Sequence, residues 1–154
     1  MATEPFQRHS LALDSSVASS GQGSSWARAL AERFALSEEH IAALDLCIVE
    51  LVSNIVDHSY RGQPGEIRLE LALGHGAAVL TVIDEGPAFD PLSVPTPAVP
   101  ASLDQATIGG YGIHLVRSSA DACEYKRRGG RNVFTAYFGG DSAYRLLAPQ
   151  SRSR

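Results

Sequence analysis

The polar and apolar positions of this chain change period along its length, and the changes mark its elements. In "EIRLELAL", Ile67, Leu69, Leu71 and Leu73 alternate with Glu66, Arg68 and Glu70, the two-residue period of a half-buried strand. "GHG" turns the chain, and "AAVLTVID" returns as a partner strand ending at Asp84. "DACEYKRRGGRNVFTAYF" repeats the device, with Gly129-Gly130 as the hairpin turn. Near the start, His9, Leu11 and Leu13 alternate with Ser10 and Ala12 and predict a short first strand. The Ser- and Gly-rich piece from Asp14 to Ser25 is too polar to pack and reads as a variable loop.

A helical period takes over in "WARALAERFAL", where Trp26, Ala29, Leu30, Arg33 and Phe34 share a pattern. Ser37 is placed as the N-cap of a second helix, with Glu38 and Glu39 favourably set against the helix dipole; this helix should run to about Asp57. Between the hairpins, residues 87–110 carry four prolines after Phe89 and predict an irregular loop, followed by a short amphipathic helix from Gly112. Residues 149–154 read as a frayed tail. The order is strand, two helices, hairpin, long loop, helix, hairpin. It predicts one α/β domain over residues 1–154, a two-layer sandwich with a mostly antiparallel sheet and helices on one face.

Composition narrows the classes. With 154 residues, 44% hydrophobic and 19% charged, the chain can bury a real core. A net charge of −4 argues against a surface built for phosphate backbones or anionic lipid, hence no nucleic acid and no membrane. No apolar run approaches the roughly 20 residues of a bilayer span, and the start has no apolar leader core, which points to the cytoplasm. Cys47 and Cys123 lack companions at metal-ligand spacing and read as buried free thiols.

Three polar clusters stand at element ends. Glu50, Asn54 and His58 recur every four residues on the apolar second helix, which lines them up along one face. Asp84 ends a strand and Gly86 opens the next turn. "GGYGIHLV" is a glycine-rich turn running into a helix. Each alone has a bland reading: a wet helix face, an ordinary turn, relief of backbone strain.

Together and in this order, "ELVSNIVDH", "DEGPAFDP" and "GGYGIHLV" resemble the N-box and two glycine boxes of the histidine-kinase-like ATPase (GHKL) superfamily, and more narrowly its small anti-sigma-factor serine/threonine kinases. The resemblance runs from about Trp26 to Phe138. It implies a Bergerat-type ATP-binding fold with ATP and Mg²⁺ as cofactors. Asn54 would hold the metal through its amide oxygen, Glu50 would be the general base, and His58 would support them at the third N-box position. Asp84 would accept a hydrogen bond from the adenine amine, with Gly86 making room for the ring and Thr135 a second adenine contact; Gly110 and Gly112 would let backbone amides approach the phosphates.

The resemblance further implies that the protein phosphorylates a Ser or Thr on a small antagonist protein, binds a sigma factor or similar target, and forms a homodimer as such proteins commonly do. The lid segment departs from the superfamily: Pro87 to Gly110 holds no Lys, Arg or His to meet the terminal phosphate, leaving Arg117 or a partner's residue for that task. A nucleotide-gated binding module without phosphotransfer is therefore the alternative expectation. No P-loop motif is present, "GGYGIH" lacks the third glycine and βαβ setting of a dinucleotide fold, and no stretch is left for the phosphoacceptor helices of a sensor kinase.

Overall fold

A computed structural model describes residues 6–95 and 112–143. Among these residues five strands, β1 (Gln7–Asp14), β2 (Glu66–Gly74), β3 (Ala77–Asp84), β4 (Ala122–Arg128) and β5 (Arg131–Phe138), form one sheet in the order β1-β2-β3-β5-β4. Every neighbouring pair is antiparallel. Helices α1 (Ser19–Arg33), α2 (Glu38–Asn54) and α3 (Gly112–Ser119) contribute to the same core as one sheet face, giving the two-layer α/β sandwich that the strand periods predict. Leu69, Leu71, Leu80, Val82, Phe134 and Phe138 supply that face and are nearly or fully buried. A smaller cluster of Ala72, Val79, Tyr137 and Ala143 lies on the other face.

The loop expected over residues 14–25 is corrected: from Ser19 onward it is helix. Ser19, Gly23, Ala27 and Ala31, four residues apart, are all buried. This inner face is built from small side chains, so it carries no large apolar signal. Gly23 shows why: a Cβ there would lie 2.9 Å from Leu69 Cδ1 and 3.1 Å from Ile48 Cγ2, so its absence lets α1 seat closely on sheet and helix. Ser19 Oγ donates to the carbonyl of Asp14 at 2.6 Å and to its carboxylate at 2.8 Å, holding the turn where the helix starts.

Ser37 caps α2 as expected, its hydroxyl accepting from His40 N at 3.1 Å. The helix does not run on as α-helix to Asp57. After Asn54 it widens into a π-helical turn, Ile55–Tyr60, closed by Arg61 in the left-handed region at φ 48°. Tyr60, at its end, donates to Glu66 O at 2.7 Å and accepts from Glu85 N at 2.9 Å, tying the widened turn to both the start of β2 and the end of β3. Cys47 is fully buried, as expected; Cys123 is only partly so. The tail and residues 96–110 lie outside the described residues.

Candidate functional site

Strand β3 delivers Asp84 to the helix-facing side of the sheet, 4% exposed, with Ile67 and Asn132 as its neighbours in register. Its Oδ1 accepts from Gly86 N at 2.9 Å and from Asn132 Nδ2 at 3.1 Å. Among the described residues no hydrogen bond reaches Oδ2, so one carboxylate oxygen is saturated and the other is available. Gly86 is packed hard: a Cβ would sit 2.8 Å from Ser59 Cβ and 2.9 Å from Asp84 Oδ1. Its missing side chain makes room for the carboxylate and for Ser59.

Asn132 escaped the sequence reading, and it is buried at the centre of this corner. Beyond its bond to Asp84, its amide donates to Pro87 O at 2.9 Å, and its Oδ1 accepts from Tyr125 Oη at 2.6 Å and Phe89 N at 3.2 Å. Both donor hydrogens and the acceptor oxygen are used. Thr135, the expected second adenine contact, is instead placed elsewhere. It pairs with Thr81, between Phe134 and Ala136, which belong to the main core. Alternation along a strand turns Thr135 to the opposite sheet face from Asp84. Asn132 occupies the position opposite Asp84.

On the facing wall, α2 and its widened turn carry Glu50, Asn54 and His58. Three adjoining cavities meet there. A slot of about 20 Å³ runs from Asp84 and Asn132 between Leu51, Val82 and Phe134. A cleft of about 690 Å³ opens beside it, within the usual size range of a ligand pocket and walled by His58, Arg61, Phe89 and Ile113. A recess of about 110 Å³ holds Glu50, Asp57, His58 and Gly112. Asn54 lines all three.

Glu50 and Gly112 are in close apposition, since a Cβ on Gly112 would overlap Glu50 Oε2 at the start of α3. Gly110 lies outside the described residues. Arg117 does not line these cavities; its guanidinium donates to Val94 O at 3.1 Å, clasping the segment after β3. Among the described residues, Arg61 is the arginine that lines the large cleft, and its Nε donates to His58 O at 3.1 Å. A second arginine, Arg127, holds the turn after Asp84 through Gly86 O at 2.8 Å.

The donor set bears on a metal. Among the described residues no group of three or more His, Cys, Asp or Glu is disposed to hold an ion. Asn54 offers one hard amide oxygen at the junction of the cavities, which suits a cation that keeps its waters and takes its remaining ligands from phosphates. The lining of the slot, apolar walls with a buried carboxylate at the end, matches the chemistry of a flat heterocycle bearing an amine, although its volume of about 20 Å³ is smaller than one. The residues present therefore fit a magnesium nucleotide.

An antiparallel sheet covered on one face by helices, with a strand-end carboxylate facing an Asn/Glu-bearing helix across a cleft, defines an ATPase-type nucleotide domain. Residues 14–138 match the family described as the histidine kinase-like ATPase domain, and the chain belongs to that family. It is 36% identical over 111 residues to the serine/threonine-protein kinase BtrW of Bordetella bronchiseptica, covering 71% of this chain and 78% of that protein. The serine-protein kinase RsbW of Bacillus subtilis is 27% identical over 120 residues, covering 73% and 74%. The chain thus groups with the serine/threonine protein kinases of the family. In fold it is similar to the crystal structure of the RsbU and RsbW domains of Rv1364c from Mycobacterium tuberculosis, with a TM-score of 0.61 at 18% identity over 86% of this chain and 32% of that one.

Proposed function

We propose that this protein is a cytoplasmic kinase that binds Mg-ATP between α2 and the end of β3 and phosphorylates a Ser or Thr of a small antagonist protein. Through that reaction it controls its hold on a sigma factor or similar target, as a monomer or a homodimer. The kinase names of the relatives support the reaction class. One observation carries the nucleotide reading: Asp84, 4% exposed, has Oδ1 saturated by Gly86 N and Asn132 Nδ2, keeps Oδ2 without a hydrogen bond among the described residues, and lines a mostly apolar slot. That geometry accepts the exocyclic amine of adenine and rejects guanine, which presents a carbonyl there.

Asn54, at the meeting of slot, cleft and recess, would hold Mg²⁺, whose chemistry is to neutralise phosphate charge during transfer. Glu50, in the recess against Gly112, would take the proton of the attacking hydroxyl. The hydroxyl oxygen then bonds to the terminal phosphorus as the bond to ADP breaks. Gly112 and Gly110 would bring backbone amides to the phosphates, and His58 would support the stripe from the recess wall. Among the described residues, Arg61 faces the cleft and is a cation available to a bound anion.

The test pairs thermal unfolding with ATP, ADP and GTP against transfer of label from γ-labelled ATP to candidate antagonist proteins. Stabilisation by ATP and ADP but not GTP, with label on a Ser or Thr, is the expected result. No transfer to any antagonist, with partner capture that still requires ATP, replaces the kinase by a nucleotide-gated binding module.

A further inference from the structure

The slot at Asp84 and the large cleft adjoin, and three residues line both: Asn54, Ser59 and Phe89. Asn54 and Ser59 stand on α2 and its widened turn, next to the buried Ile55 and Tyr60. Phe89 stands on the loop after β3 and is 40% exposed. Its backbone is nonetheless pinned. Phe89 N donates to Asn132 Oδ1 at 3.2 Å, the same amide holds Pro87 O at 2.9 Å, and the next residue, Asp90, accepts from Leu92 N at 2.8 Å. The ring can therefore turn about its own side-chain torsions while its anchor stays in place.

The slot as it stands, about 20 Å³, has room for about one water and none for a purine. Its walls are nevertheless those of a base site: Leu51, Val82 and Phe134 beside the Asp84 carboxylate. We propose that Phe89 is the partition between slot and cleft and a base-contacting residue. A purine enters by turning the Phe89 ring out of the slot, which joins the two volumes, and the ring then covers the face of the bound base. Asn132 serves this by holding the loop backbone on one side and the base-reading carboxylate on the other. Base recognition and the position of the covering ring are thus set by one buried amide. This inference rests on the nucleotide reading proposed above.

Stopped-flow binding of ATP and ADP to the parent protein, Phe89→Ala and Phe89→Trp tests it. Removing the ring takes away both the obstruction and the stacking surface, so Phe89→Ala should bind faster, release faster still, and have a dissociation constant roughly 5- to 150-fold weaker. The loss should be equal for ATP and ADP, which share the base. Phe89→Trp should restore most of the affinity, and its emission should change on nucleotide addition beyond any response of Trp26 in the parent. The urea midpoint of nucleotide-free Phe89→Ala should match the parent, as expected for a half-exposed ring. Parent-like rates for Phe89→Ala, or a Phe89→Trp signal no different from the parent's, overturn the partition while leaving the nucleotide reading intact. A parent that binds neither ATP nor ADP overturns both.

Discussion

Replacing Gly112 with alanine separates stability from chemistry. The φ of Gly112 lies outside the left-handed region, so alanine meets no backbone penalty there, and in a helix it is favoured over glycine by up to about 1 kcal/mol. The added Cβ would overlap Glu50 Oε2, the far end of a flexible side chain, which can swing aside for about 0.5–1.5 kcal/mol. The two terms nearly cancel. The unfolding midpoint should move by no more than about 2–4 °C. The carboxylate, however, leaves its seat in the recess, and if it is the general base, phosphotransfer should fall by roughly 10²–10⁴-fold. That corresponds to about 3–5 kcal/mol of transition-state stabilisation, several times the change in stability. The assay is single-turnover transfer of label to the antagonist, with ATP affinity measured on the same samples and expected to stay within a few fold. Glu50→Gln alone should show the same loss, and the double variant should be no slower than Glu50→Gln, because a displaced or absent base can be lost only once. A parent-like transfer rate in Gly112→Ala refutes the reasoning. So does a fall in ATP affinity that accounts for the whole loss, which would put the effect of the added methyl on nucleotide binding and not on the seat of Glu50.

Asp84→Asn should abolish the preference for ATP over GTP. At 100 times its dissociation constant ATP adds about 2.7 kcal/mol to the parent, roughly 5–10 °C of midpoint, and an unchanged preference in the variant removes Asp84 from base recognition. Asn54→Ala should weaken Mg-ATP binding, with excess Mg²⁺ restoring it only in part, measured by calorimetry; parent affinity would show that the amide holds no metal. Tyr60→Phe deletes the hydroxyl that joins Glu66 O and Glu85 N and should cost about 1–2 kcal/mol in urea unfolding. Burial raises the Tyr60 pKa, so the folded protein keeps that proton after the unfolded chain begins to lose it. Its contribution is full below about pH 10 and drains away above it, and Tyr60→Phe should lack that alkaline loss. Burial likewise pushes Cys47 up to about 12 and Cys123 to about 11, so at pH 8 neither should react with a disulfide reagent at the rate seen in urea; a fast native reaction contradicts the packing.

The strands were legible in the sequence because one face of each is apolar: Ile67, Leu69 and Leu71 announce β2, and the paired glycines at 129 and 130 mark the last hairpin. The start of α1 was not, because Ser19, Gly23 and Ala27 pack through being small and leave no hydrophobic period to find. The π-helical turn after Asn54 had no signature either; it is visible only once Tyr60 is seen bonded to Glu66 and Glu85. Glu50, Asn54, His58, Asp84 and Gly112 were all named from spacing and motif, and the fold gathers them around adjoining cavities, with Gly86 packed behind them against Asp84 and Ser59.

Thr135 failed for a reason that strand parity could have exposed. In "RNVFTAYF" the large apolar residues Phe134 and Phe138 are two steps apart from Ala136, and such a row must face the core. Asp84 belongs to the same row on its own strand, in step with Leu80 and Val82. A residue reaching Asp84 from β5 must therefore carry the parity of Phe134, and counting back toward the glycine turn arrives at Asn132, while Thr135 has the opposite parity whatever the register. The consequence is chemical. A threonine has one rotatable hydroxyl, whereas the Asn132 amide serves Asp84, Pro87, Phe89 and Tyr125 at once. That holds the carboxylate and the loop beside it together, and under the proposed nucleotide reading base selectivity would fall to Asp84 Oδ2.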